Sequence, residues 1–347
     1  MPDIDPLKTE PGQDLEIDLF RPEYGPGVAA LFRTVYGEDY PQKVYYQPEA
    51  LAAENAAGRI VSIVARTPRG EVVGHSAIFQ TAPNPALYEV GSGLVLPAYR
   101  NTSGVFARMI AHGFDVVPKH FGAGAIWGDA VLNHPFSQRA ARSMKAFPMA
   151  LQIDLMPASA YAKERSAGGR VGSLVTINIF RPAPQTVFVP AAYREALEFL
   201  YNDLEDEREL LASTEILPQG TASIIQTQYF AFARVARFSV AEIGDDFFAR
   251  FEQEEQSARD QGSIVFQAWL NSSRPCLGRA VDWLADRGYF LSGALPYWFG
   301  PDAFVMQKMS HRPHWEGIVI EWPRGEEILK RVRRDWEDRA GGSGPER

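Results

Sequence analysis

Apolar residues recur at helical spacing from Pro26 to Tyr36, where Val28, Leu31, Phe32 and Val35 share one face. Pro26 suits a first helical turn. The runs IVSIVAR (60–66) and EVVGHSAIFQ (71–80) are short, apolar and rich in β-branched residues. The turn sequence TPRG lies between them, so the pair predicts a β-hairpin. Residues 86–96, ALYEVGSGLVL, predict a third strand interrupted by Gly91 and Gly93. Glycine inside a strand marks a bulge or a close backbone approach. Val105, Phe106, Met109 and Ile110 then fall at helical spacing, predicting a helix from about Ser103 to Phe114. A strand over 123–132, a helix from Ser137 to about Lys145 and a strand near 172–181 follow.

The second half repeats this grammar more weakly. TVFVP (186–190) reads as a strand, and the helix after it puts Tyr193, Ala196, Leu197, Leu200 and Leu204 on one stripe. SIIQTQYF and FARVARFSV are β-rich, as is SIVFQAW (263–269). Pro275 opens a helix with Leu277, Ala280, Val281 and Leu284 inward, closed by Gly288. YFLSGALP and AFVMQKM end the unit as short strands. With 347 residues, the chain exceeds what one hydrophobic core usually serves. The expected fold class is α/β (α+β), with two tandem domains, each a mixed, mostly antiparallel twisted sheet flanked by helices. Residues 1–15 form a flexible tail, 16–183 the first domain and 186–340 the second. The proline-rich passage RPAPQ (181–185) is the natural linker.

Composition removes several function classes. The single cysteine, Cys276, excludes a disulfide framework and a cysteine metal site, and no other spacing suggests a metal. The net charge of −8 argues against a grip on nucleic acid, which a basic stripe usually provides. The one basic cluster, Lys330, Arg331, Arg333 and Arg334, is interleaved with acids and reads as a solvated helix face. An acidic surface still admits a small cationic amine. The polar start MPDIDPLKTEPGQD has no apolar stretch, so it is not read as a signal peptide. No apolar run approaches the roughly 20 residues that span a bilayer, and a cytoplasmic protein is expected, with no membrane partner. A homo-oligomer is compatible with all of this.

The chemistry concentrates in Tyr88-Glu89-Val90-Gly91-Ser92-Gly93-Leu94-Val95-Leu96-Pro97-Ala98-Tyr99-Arg100-Asn101-Thr102-Ser103-Gly104-Val105-Phe106. A strand ends at proline, a polar loop begins with Arg100, and Gly104 stands near a helix N-terminus. The first amides of a helix lack partners within it, and the dipole is positive there. Glycine lets a phosphate approach the backbone. An ordinary strand-to-helix turn capped by Ser103 stays open as the other reading.

This segment resembles the acetyl-coenzyme A loop of the GNAT N-acetyltransferase superfamily. Val73-Gly74-His75 resembles a strand common there. Val131-Leu132-Asn133-His134-Pro135-Phe136-Ser137-Gln138-Arg139-Ala140-Ala141 is similar to a passage of its two-domain, tandem branch. So is Gly288-Tyr289-Phe290-Leu291-Ser292-Gly293-Ala294-Leu295-Pro296, with Asp302 and Met306-Gln307 after it. The resemblance spans residues 16 to about 310. It implies an acetyl-CoA-dependent N-acyltransferase acting on a small amine or amino-acid-like acceptor by direct attack. Coenzyme A would meet Leu94, Val95 and Leu96 along the strand, then Arg100, Asn101, Thr102, Ser103, Gly104 and Val105 around its diphosphate.

The chain departs from the pattern in two places. Ser103 stands where the family's loop has glycine, and Gly104 comes one residue later, as a one-residue insertion would leave it. The helix over 137–146 lacks the tyrosine that often serves as general acid, holding Arg142, Ser143 and Met144 instead. Amine acylation needs a general base and a donor for the developing oxyanion. Glu89, on the strand feeding the loop, is the first choice of base, with a solvated strand carboxylate as its other reading. His134 and Ser137 are the further catalytic choices, and Tyr161 a substitute acid. His75 reads as a core histidine. The stretch 240–262 is acidic where a phosphate would sit in the second half, so only the first half is expected to bind coenzyme A. A catalytically degenerate acyl-CoA sensor is the alternative. A transferase fed by aminoacyl-tRNA is opposed by the charge.

Overall fold

The apolar runs near the start of the chain pair as an antiparallel ladder. Its strands β1 (Glu16–Leu19), β2 (Ile60–Arg66), β3 (Val72–Gln80) and β4 (Leu87–Val95) lie side by side in that order. The structure is a computed structural model and describes residues 14–38, 40–100, 104–161 and 167–340. The β2–β3 hairpin closes at TPRG: Thr67 N–H donates to the Glu71 carbonyl and Gly70 N–H to the Thr67 carbonyl, both at 2.9 Å. Three helices cover this ladder: α1 (Gly25–Tyr36), α2 (Pro48–Ala56) and α3 (Val105–His120). Neighbouring strand residues point to opposite faces. His75 on β3 meets Phe32 of α1 at 5.3 Å between rings, while Gly74 lies against Met109 of α3. The two helices therefore sit on opposite faces of the sheet. Gly113 of α3 faces Ile78 and Ile63, where a Cβ would stand 2.8–3.0 Å from their methyls, so a side chain there would lift the helix off the sheet.

The chain divides into two compact units, Met1–Thr81 with Pro85–Ile126, and Ala82–Asn84 with Trp127–Arg347. The RPAPQ passage lies within the second unit, between its strands. That unit begins on β5 (Ala125–Val131) and continues through α4 (Phe136–Ser143), β6 (Phe147–Met156), β7 (Val171–Ile179), β8 (Gln185–Val189), α5 (Arg194–Tyr201) and β9 (Arg208–Ala212). Then come β10 (Ile224–Phe230), β11 (Val235–Glu242), α6 (Phe247–Asp260), β12 (Val265–Asn271), α7 (Leu277–Ala285), β13 (Phe290–Leu295), β14 (Ala303–Met309) and α8 (Pro323–Ala340). The strand order is β5-β7-β6-β13-β14-β12-β11-β10, and β8 and β9 form a separate parallel pair. β11 and β12 are parallel, joined by α6 as a crossover requires.

One connection occurs twice. In β5–α4–β6–β7 the last strand inserts between the other two, giving β5-β7-β6; in β12–α7–β13–β14 it does the same, giving β12-β14-β13. β6 and β13 pair antiparallel at Ala150 and Gly293. Gly293 has φ +147°, and a Cβ there would lie 2.3 Å from the Met149 carbonyl oxygen, so only glycine fits this crossing.

Several elements differ from the sequence reading. α3 runs past Phe114 to His120 and through Pro118, its last turn anchored by fully buried Val117. α2 and β6 were not expected: FPMALQIDLM opens with Phe-Pro and is poor in β-branched residues, which hides a strand. α4 begins at Phe136 rather than Ser137. Residues 1–13 of the expected tail lie outside the described residues.

Candidate functional site

Glycines on either side of Ser92 let β4 leave its ladder. Gly91 pairs with Ala77, but Leu94 pairs with His75, so β4 carries one residue more than β3 across this step. That is a β-bulge. Ser92 takes a left-handed backbone, φ +49°, a strained conformation for a residue with a Cβ. Three hydrogen bonds hold it. His75 Nδ1–H donates to the Ser92 carbonyl oxygen at 2.9 Å. The Tyr40 hydroxyl donates to Ser92 Oγ at 3.1 Å, and Ser92 Oγ donates to Gln42 Oε1 at 3.4 Å. The imidazole thus takes the carbonyl that the bulge removes from the ladder. A carbonyl only accepts, so the proton is on Nδ1, and Nε2 is buried with no hydrogen-bond partner among the described residues. Burial pushes the His75 pKa down to about 4, more than the Ser92 carbonyl restores, and keeps the ring neutral.

An aromatic wall backs the bulge. Phe32 stacks on Tyr45 at 4.6 Å and meets Tyr40 at 4.9 Å. Burial raises the pKa of both phenols, and the charge of Glu89 raises them further, so both stay protonated. Ser92 Oγ stands near the Tyr45 hydroxyl without completing a hydrogen bond. Glu89 lies on β4 opposite Phe79 and is half-buried; its Oε2 accepts from Thr81 Oγ1 at 2.8 Å. At the far side of the bulge, a Cβ on Gly93 would lie 2.5 Å from the Phe106 ring at the start of α3.

Beyond the bulge, Leu94, Val95 and Leu96 are buried, and Leu96 N–H donates to the Val73 carbonyl at 2.9 Å. Pro97–Tyr99 form one short helical turn. Arg100 is exposed and its Nε donates to the Val95 carbonyl at 3.1 Å, folding the side chain back over the end of β4. Asn101, Thr102 and Ser103 lie outside the described residues. Gly104 caps α3 with a left-handed backbone, φ +60°, no side-chain cap, and open space where a Cβ would be. Val105, the first helical residue, is buried. The first-turn amides of this 16-residue helix therefore follow a glycine that no atom of the described residues crowds, the arrangement that suits a phosphate.

His134 and Ser137 belong to the second unit, on the passage from β5 into α4. His134 Nδ1 and Ser137 Oγ are buried without a hydrogen-bond partner among the described residues. The His134 ring packs 5.2 Å from Phe136. Gln138 fastens the passage by donating to the Val319 carbonyl at 2.7 Å, and Arg139 forms a bidentate pair with Glu321. Tyr161 ends a short helical turn, Ala158–Tyr161. The acidic run expected to repel phosphate surrounds the start of α6, where Asp245 accepts from Gly220 N–H and Asp246 from Ser223 N–H, both at 2.7 Å. Carboxylates hold the ground there. Among the described residues no group of three or more His, Cys, Asp or Glu could hold a metal ion, and no helix is long and apolar enough to cross a membrane.

Tyr40, Gln42 and Tyr45 escaped the sequence reading, and Ser92 passed as part of a strand. Two signals pointed to them: a serine between two glycines inside a strand, and the tyrosine-rich run VYGEDYPQKVYY (35–46).

No protein-family model matches the sequence, and no curated protein sequence does. Solved structures of acetyltransferases match over 48% of the chain. A ribosomal-protein-S5-alanine acetyltransferase from Vibrio fischeri is 11% identical, with 92% of its own chain covered and a TM-score of 0.38. A spermidine N-acetyltransferase from Vibrio cholerae, solved in complex with CoA and spermine, is 10% identical, with 95% covered and a TM-score of 0.38. An acetyltransferase of the GNAT family from Streptococcus pneumoniae is 11% identical, with 100% covered and a TM-score of 0.40.

Proposed function

We propose that the first unit binds acetyl-CoA or another acyl-CoA and that the protein transfers the acyl group to a small amine or amino-acid-like acceptor. The observation that carries this reading is the bulge at Ser92 leading, within one strand, loop and helix, to the left-handed Gly104 at the open start of α3. Gly104 and Val105 offer backbone amides to the diphosphate, with Arg100 adding a charge-assisted contact. Leu94, Val95 and Leu96 line the pantetheine arm.

Acyl-CoA supplies an activated acyl group and a thiol leaving group. Glu89 takes a proton from the acceptor ammonium, directly or through water. An ordinary Glu titrates near 4.3 and an alkylammonium near 10.4, so the transfer alone runs uphill and is drawn forward when the amine nitrogen adds to the thioester carbonyl. Ser92 and Gly93 have no register partner on β3, and their backbone N–H groups are the donors for the oxyanion. His75 fixes the orientation of that backbone. His134 and Ser137 remain the further catalytic choices. We read the repeated strand–helix–strand–strand connection as a duplicated GNAT-like domain, with the boundary between 181 and 190 and a second copy that does not bind coenzyme A.

Calorimetry tests the reading: one coenzyme A per chain is expected, and two or none would contradict it. Spermine, held by the Vibrio cholerae structure, makes polyamines the first acceptors to screen. Binding without turnover of any amine favours the sensor alternative.

A further inference from the structure

The strand order of the second unit ends on β10, whose pairing neighbour is β11. Among the described residues no strand lies on its other side. In an antiparallel ladder every second residue of an outer strand turns its N–H and C=O away from the partner. Such a row of backbone groups can pair with another chain, and natural proteins blunt it with charges or proline. The outer strand of the first unit, β1, is blunted in this way: it carries Glu16 and Asp18, each in an ion pair with Arg66. By contrast β10 reads IIQTQYF. From Ile216 to Ala233 the chain has no charged residue, although its net charge is −8.

This edge is apolar and exposed. Ile224 is 60% exposed, Phe232 51%, Phe230 40% and Tyr229 38%. Of the nine large apolar side chains exposed among the described residues, these four lie within one short stretch. The strand is also held in place. Thr227 Oγ1 donates to Glu254 Oε2 of α6 at 2.7 Å, and the Tyr229 hydroxyl donates to Ser257 Oγ at 3.3 Å. A strand already ordered loses little freedom when another adds to it.

The sequence selects the partner. Read outward from Thr227, the strand has the same character in both directions: Gln226 and Gln228, then Ile225 and Tyr229, then Ile224 and Phe230. Opposed residues of a ladder share a face and interact as pairs. A two-fold axis normal to the sheet at Thr227 therefore sets Ile224 against Phe230, Ile225 against Tyr229 and Gln226 against Gln228 of a second copy. Moving the axis to Gln226 sets Ile224 against Gln228, and moving it to Gln228 sets Phe230 against Gln226. The pattern fits one register.

We propose that two copies of this chain pair antiparallel through β10, with Thr227 on the two-fold axis. Apolar pairs then flank a polar centre on both faces, and the neutral strands bring no like charges into register. The contact uses the same edge of both copies, so it closes at two.

Sedimentation velocity on the full chain, from low to high micromolar concentration, should show a dimer. Ile224→Lys with Phe230→Lys sets lysine opposite lysine at two places and should raise the dimer Kd about tenfold or more. Ile224→Glu with Phe230→Lys sets opposite charges at the same places and should dimerise more tightly than the double-lysine variant. Thr227→Cys should give a disulfide-linked dimer on mild oxidation, because opposed residues bring their Cα atoms to about 4.5–5.5 Å. Circular dichroism checks that each variant folds. A parent chain that is monomeric at every concentration overturns the proposal. So does a folded double-lysine variant that dimerises like the parent, or a folded Thr227→Cys chain that forms no cross-link.

Discussion

His75 Nδ1 stands 2.9 Å from the carbonyl oxygen of Ser92, and this contact replaces a ladder bond that β4 gives up. The ring is fully buried between Phe32 and Tyr45. A residue that reads as core packing in the sequence is therefore the support of the strained strand. It positions backbone for the proposed chemistry without being a reacting group.

Burial of that ring makes stability depend on pH, against the smaller opposite pull of the Ser92 contact. The unfolded imidazole titrates near 6.5, whereas the folded one is pushed down to about 4 by burial. Between those values the unfolded chain binds a proton that the folded chain refuses, so stability rises with pH. The contribution is present above about pH 6.5 and is lost as pH falls through 4; it amounts to about 3 kcal/mol. His75→Asn keeps a donor and does not titrate. Urea unfolding at pH 7 and pH 4.5 should show a smaller loss in the variant than in the parent. Equal losses would show that His75 carries no such coupling.

Arg100→Ala should weaken coenzyme A binding. A charge-assisted contact is worth about 1.5–3 kcal/mol, or roughly one to two decades in Kd. Because Arg100 is exposed, the melting temperature should hardly move. Unchanged affinity by calorimetry would remove Arg100 from the cradle.

Glu89→Gln tests the base. General-base catalysis contributes about 10²–10⁴-fold, so kcat should fall by that factor while coenzyme affinity stays. Full turnover in the variant would assign the proton transfer elsewhere, with His134 next in line.

Gly293→Ala probes the crossing of β6 and β13. The added methyl meets backbone on the neighbouring strand, at 2.3 Å from the Met149 carbonyl oxygen and 2.6 Å from Ala150 Cα. Neither is a flexible side-chain end, and φ is +147°. A loss of about 3 kcal/mol or more is expected in denaturant unfolding. A loss below about 1 kcal/mol would mean that the strands separate there at little cost.

Much of the fold was legible in the chain because its signals are local. The hairpin at TPRG, the helix with Val28, Leu31 and Phe32 inward, and the interrupted strand at Gly91 and Gly93 each depend on neighbours in sequence. β6 was hidden because Phe147-Pro148 and its mix of Met, Gln and Asp carry no strand pattern; its place between β7 and β13 makes it a strand. At the site, Glu89 and Gly104 could be found from spacing to the loop. Tyr40 and Gln42 could not, since they reach Ser92 across about fifty residues of sequence.

The most direct measurement follows thiol released from acetyl-CoA by the full chain as amines are added, spermine and amino acids among them. Release that depends on the amine, saturates with it and yields the acylated amine by mass spectrometry is the expected result. If coenzyme A binds but no amine accelerates thiol release, or if coenzyme A does not bind, the protein is not the acyltransferase proposed.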